Sequence, residues 1–146
     1  MIVLDTNVIA ELMRPQPEPA VLTWADGLDP AEVGITAMNE AEILHGLTRL
    51  PEGRRKQALL DSWQALVKAL LGDRVLAFHR DAAHWYGELL VRRGQLGRPI
   101  ATANAVIAAT ALAQGAQLAT RNVSDFTGLG LDLINPWAQS EPFRSK

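Results

Sequence analysis

Short apolar runs of three or four residues recur along this chain, each followed by a longer stretch whose apolar side chains return at helical spacing, and few folds accept that alternation. The strand-like runs are Ile2-Val3-Leu4, Val33-Gly34-Ile35, Val75 to Phe78, Gln117 to Thr120, and Leu131 to Ile134. Between them the pattern predicts helices over Val8 to Met13, Ala20 to Leu28, Ala37 to Leu50, Arg54 to Leu71, Asp81 to Arg93, and Ile100 to Gln114. Thr36 is placed to cap the third of these helices, Gly72 and Gly115 to close the fourth and sixth, and Pro99 to stand as the first helical residue of the last. Short buried strands separated by helices pair in parallel through right-handed crossovers. The expected fold class is therefore α/β, a three-layer α/β/α sandwich around a parallel sheet of about five strands. Residues 1–137 form a single expected domain, and 138–146 a loosely ordered tail.

Composition narrows the function. A chain of 146 residues with 48% apolar and 21% charged residues can bury a core, and a net charge of −2 excludes coating nucleic acid through bulk electrostatics. Any contact with nucleic acid has to be local or carried by a metal. With no cysteine there are no disulfides and no thiolate metal sites. No basic stretch leading into a long apolar run opens the sequence, so no secretory signal is expected. The most apolar stretch, Ile100 to Leu112, has about 13 residues, short of the roughly 18 needed to span a bilayer, so no membrane partner is expected.

In an open α/β sheet, ligands bind beyond the carboxyl ends of the strands. Asp5 and Thr6 end the first strand, and Thr120, Arg121 and Asn122 end the fourth. With Glu42, Asn104 and Asp125 these offer a set of oxygen donors of the kind that suits Mg²⁺ or Mn²⁺. His45, His79 and His84 are too scattered to suggest zinc or an imidazole base. Each residue also has a plainer reading. Asp5 and Thr6 are good helix N-caps, Glu42 fits a solvent-facing helix position, and Asp125 fits a turn cap. An amide such as Asn104 among Ala, Val and Ile needs either a helix–helix hydrogen bond or a role in a site. Arg98 and Arg121 suit RNA phosphates or plain solvation. Trp24, Leu12 and Met13 suit either core or an apolar groove.

Four motifs and a closing segment carry a family resemblance. Ile2-Val3-Leu4-Asp5-Thr6-Asn7 resembles the opening motif of PIN domains, and Asn39 to Gly46 resembles the second, with Glu42 as the matching acid. Ile100 to Ala111 resembles the third, Ala119 to Phe126 the fourth, and Asn135-Pro136-Trp137 the closing segment. Order and spacing agree over nearly the whole chain, and the opening and closing segments look most like toxins of the VapC and FitB type. The resemblance implies a metal-dependent endoribonuclease of a toxin–antitoxin pair. Its metal, Mg²⁺ or Mn²⁺, would be held by Asp5, Glu42, Asn104, Asn122 and Asp125, with Thr6, Asn7 and Thr120 in support. It also implies an RNA substrate, a cognate antitoxin, a homodimer and the bacterial cytoplasm.

The third motif of that family normally carries Asp where this chain has Asn104, so a charge is missing and weakened metal binding and activity are expected. Two other functions stay open: a non-catalytic module that binds an antitoxin or RNA, and an aspartate-phosphorylating protein. The second fits poorly, because Asn7 stands where a dehalogenase-like phosphatase wants its second Asp.

Overall fold

The computed structural model describes residues 1–138; most of the tail expected at 138–146 lies outside the described residues. Its five strands are β1 (Ile2–Leu4), β2 (Val33–Thr36), β3 (Val75–Leu76), β4 (Gln117–Ala119) and β5 (Leu133–Ile134). They form one parallel sheet in the order β3-β2-β1-β4-β5. The helices are α1 (Thr6–Leu12), α2 (Pro19–Asp26), α3 (Ala37–Thr48), α4 (Arg54–Leu66), α5 (Arg80–Gln95) and α6 (Thr102–Ala113). Alternate residues of each strand serve opposite faces, as the two-residue period of a strand requires. Val3 and Leu118 pack with α5 and α6, whereas Leu4 and Ala119 pack with α1, α3 and α4. The expected three-layer sandwich is therefore the observed one.

Helix α6 is apolar around most of its circumference, and Ala105, Ile107, Ala108, Ala109 and Ala111 are all fully buried. Its one internal hydroxyl, on Thr110, donates to the Val106 carbonyl at 2.7 Å. Among the described residues, no helix is long and apolar enough to cross a membrane.

Several boundaries differ from the sequence reading. Helix α6 begins at Thr102, not at Pro99: Ile100 packs against the core on the α5 side, and Ala101 remains extended as the cap. The segment Arg54 to Leu71 is α4 followed by a wider π-helical turn, Val67–Leu71, closed by the Gly72 amide donating to the Val67 carbonyl at 2.7 Å. The extra residue in that turn lets Leu71 reach the core, where it is buried. Strand β3 stops at Leu76, leaving Phe78 exposed and edge-on to Tyr86 at 6.1 Å. Strand β5 starts two residues later than expected, at Leu133.

Candidate active site

Parallel connections run outward from β1 through β2 to β3, and in the opposite direction from β4 to β5, so the sheet changes direction between β1 and β4. At that point the loops leaving the two strands part and leave a crevice beyond their carboxyl ends. A cleft of about 340 Å³ opens there. Asp5, Thr6 and Asn7 line it from the end of β1, Glu42 from α3, Asn104 from the start of α6, and Asn122 and Asp125 from the loop after β4. The structure thus gathers seven of the sequence candidates in one place. An eighth, Thr120, lies just beneath, fully buried and bonded to Asp5.

Asp5 is the cap of α1 as well as a wall of the cleft. Its Oδ1 accepts from the Thr6 amide at 2.8 Å, and its Oδ2 from the Thr120 hydroxyl at 2.7 Å. The Asn39 and Asn7 side-chain amides approach the two oxygens at 3.4 and 3.5 Å. Burial nevertheless dominates and raises the Asp5 pKa above the ordinary aspartate value. The hydrogen bonds from Thr120 and Thr6 pull it back down, and the nearby Glu42 charge pushes it further up. Glu42 is joined to the first strand's end because the Thr6 hydroxyl donates to its Oε1.

Asn104 sits half-buried with its amide at the cleft, not inside a helix–helix interface. The desolvation penalty of an orphaned amide does not arise, for among the described residues no buried side-chain nitrogen or oxygen lacks a partner. Asn122 and Asp125 are exposed at the rim. The two arginines stand apart from the lining. Arg98 donates to the Ser124 carbonyl at 2.8 Å, and Arg121 lays its guanidinium over the Trp137 ring at 4.9 Å. The Arg121 amide still touches the site by donating to Asn7 Oδ1 at 3.2 Å. Trp24 is half-buried and packs against the core on the α1 side, as do Leu12 and Met13.

One residue of the site escaped the sequence reading. Asn39 is fully buried, and its Nδ2 donates to Thr6 Oγ1 at 3.1 Å as well as to Asp5. Its Oδ1 accepts from the Thr36 amide at 2.9 Å, while the Asn39 amide donates to the Thr36 hydroxyl at 3.1 Å. This is a reciprocal cap at the start of α3. The signal was present, a polar residue three places after a capping threonine, but the reach of its amide across to β1 is a tertiary fact.

Comparison with known proteins places this geometry in a lineage. The PIN domain family model matches residues 2–126. The chain is 42% identical to the VapC ribonuclease Y4jK of Sinorhizobium fredii over 137 residues, covering 94% of this chain and 98% of that protein. It is 35% identical to the toxin FitB of Neisseria gonorrhoeae over 94% of this chain and 99% of FitB. Among solved structures, FitAcB from Neisseria gonorrhoeae superposes with a TM-score of 0.86 at 35% identity, covering 94% of this chain and 99% of that one. VapBC2 from Rickettsia felis, bound to a DNA fragment from its promoter, superposes with a TM-score of 0.76 at 25% identity, covering 92% and 98%. With the family model, these relatives and the fold in agreement, the chain belongs to the PIN-domain family, on the side of the VapC and FitB toxins.

Proposed function

We propose that this protein is an endoribonuclease toxin of a toxin–antitoxin pair, hydrolysing RNA phosphodiesters with water as the nucleophile in the cleft between β1 and β4. The observation that carries this reading is the joining of Asp5 and Glu42 through Thr6 at the point where the sheet changes direction. The donor set fits a hard divalent cation: every candidate ligand is an oxygen, and the Asp5 and Glu42 carboxylates repel each other in a way that a cation relieves. Asp5 and Glu42 would hold Mg²⁺ or Mn²⁺, with neutral oxygens from Asn104 and Asn122 and the carboxylate of Asp125 at the rim. Such an ion supplies charge neutralisation at the phosphate and a more acidic water.

The protein's own contribution is positioning. Two short hydrogen bonds, from the Thr6 amide and the Thr120 hydroxyl, hold the Asp5 carboxylate, one at each oxygen, with the Asn39 and Asn7 amides close by. The Thr6 hydroxyl holds Glu42 Oε1, and the Asn39 amide holds the Thr6 hydroxyl. Arg121 and Arg98, whose guanidinium groups rest on the Trp137 ring and the Ser124 carbonyl, would turn from these partners to meet phosphates flanking the cleft. By likeness to FitAcB, VapBC2 and a solved VapBC toxin-antitoxin system from Mycobacterium tuberculosis, the protein partner of this toxin would be a cognate antitoxin. A homodimer working in the bacterial cytoplasm completes the reading.

A second reading, a silenced module that keeps only antitoxin or RNA binding, draws on the amides. Asn104 and Asn122 bring no charge, and among the described residues no group of three or more acidic or histidine side chains is gathered closely enough to hold a metal. One experiment separates the two. Purified protein and its Asn104→Asp variant are incubated with Mn²⁺ and a panel of tRNA and rRNA fragments. Cleavage by both supports the nuclease, cleavage by the variant alone supports the silenced module, and cleavage by neither overturns the nuclease assignment.

A further inference from the structure

Arg93, near the carboxyl end of α5, is 4% exposed, and no carboxylate pairs with it among the described residues. A buried guanidinium has to be met by acceptors, and here all of them are backbone carbonyls. Its Nε donates to the Arg98 carbonyl at 2.7 Å, and its Nη1 to the carbonyls of Asp125 and Thr127 at 2.9 and 3.3 Å. Arg98 adds a bond to the Ser124 carbonyl. The loop after β4 is thus gripped at three carbonyls, those of Ser124, Asp125 and Thr127, by two arginines from another part of the chain.

The loop's other anchors lie at its two ends: the Arg121 and Asn122 amides donate to Asn7 Oδ1 and Thr120 Oγ1, and Phe126 and Leu129 are buried, while its short 3-10 helix, Val123–Phe126, has no side-chain cap. The side chain of Asp125 is exposed at the cleft, so its place depends on the backbone beneath it. We propose that Arg93 is a positioning residue for the cleft, its guanidinium fork clamping the Asp125 loop so that Asp125 and Asn122 face Asp5 and Glu42. A lysine would keep the charge but has no planar fork to span carbonyls of two separate segments. The proposal rests on the nuclease reading only for the importance of Asp125.

The test uses the full chain as Arg93→Lys and Arg93→Met, the lysine variant guarding against simple loss of folding. Amide hydrogen exchange in the metal-free protein is read at Asn122 and Asp125, whose amides donate to Thr120 Oγ1 and to the Asn122 carbonyl. The expected result is exchange about tenfold faster or more at these two amides, with Asn39 and Ala105 unchanged. Unchanged exchange at Asn122 and Asp125, or acceleration by the same factor at Asn39 and Ala105, overturns the proposal. In parallel, Mn²⁺ is titrated into Arg93→Lys, Asp125→Asn and the double variant. If Arg93 acts through Asp125, the double variant binds no more weakly than the weaker single one; additive losses overturn that link. A wild-type chain that binds no Mn²⁺ counts against the nuclease reading, while the exchange measurement still judges Arg93 on its own.

Discussion

At the scale of single residues, two carboxylates of the N-terminal segment respond to pH in opposite senses. Asp5 has its pKa raised by burial, so the folded metal-free protein binds that proton more tightly than the unfolded chain does. The stability this contributes is complete below the unfolded aspartate pKa and is lost as pH rises through the higher folded value. The Tm of Asp5→Asn minus that of the wild type is therefore expected to grow as pH climbs from about 4 to 7, read by thermal melts without metal. Glu11 is the reverse case. Its pKa is lowered chiefly because the Glu18 amide donates to its Oε2 at 2.8 Å, with Arg14 at 3.0 Å adding to the effect. Its contribution is present above the unfolded glutamate pKa and lost as pH falls through the lower folded one. Glu11→Gln is expected to melt below the wild type at neutral pH, with the gap closing on acidification. Asp5 was legible as a candidate because its place at a strand's end is local; its raised pKa was not, because burial is a property of the folded chain and the groups that modify it, Thr120, Asn39 and Glu42, come from distant segments.

At the scale of elements, close approach and capping decide where strands and helices meet. A Cβ on Gly34 would stand 3.0 Å from the Arg74 carbonyl oxygen, which itself accepts from the Ile35 amide at 3.2 Å. Backbone cannot swing aside as a side chain does. Gly34→Ala is expected to cost about 1–3 kcal/mol in urea unfolding by pushing β3 off β2. At the start of α3, Asn39→Ala removes the reciprocal cap and leaves the buried Thr36 amide without its acceptor, an expected loss of about 1–3 kcal/mol by the same measurement. It also removes the amide that donates to the Thr6 hydroxyl, which keeps its bond to Glu42. The cap at Thr36 was readable from sequence, as were the six helices, because apolar spacing and capping residues act over a turn or two. The π-helical turn and the late start of α6 were not, since Leu71 and Ile100 take their places from partners across the core.

At the scale of the whole molecule, ligand binding and folding are linked. An ion that binds only the folded protein raises its stability, by about 2.7 kcal/mol at a concentration a hundred times Kd. Mn²⁺ is expected to raise the Tm of Asn104→Asp more than that of the wild type, since the variant adds a charged oxygen to the cleft; equal shifts would place Asn104 outside the metal's reach. The sequence by itself determined the layered α/β class, the parallel sheet and the small set of oxygen-bearing residues at strand ends, because strand and helix periods and capping signals are local. The tertiary structure decided that Asp5, Glu42, Asn104, Asn122 and Asp125 share one cleft, that Asn39 braces it and that Arg93 lies behind its loop. Those facts depend on the order β3-β2-β1-β4-β5, which sets β1 beside β4 although more than a hundred residues separate them in the chain. Strand order follows from which faces bury best together, and no local spacing encodes it.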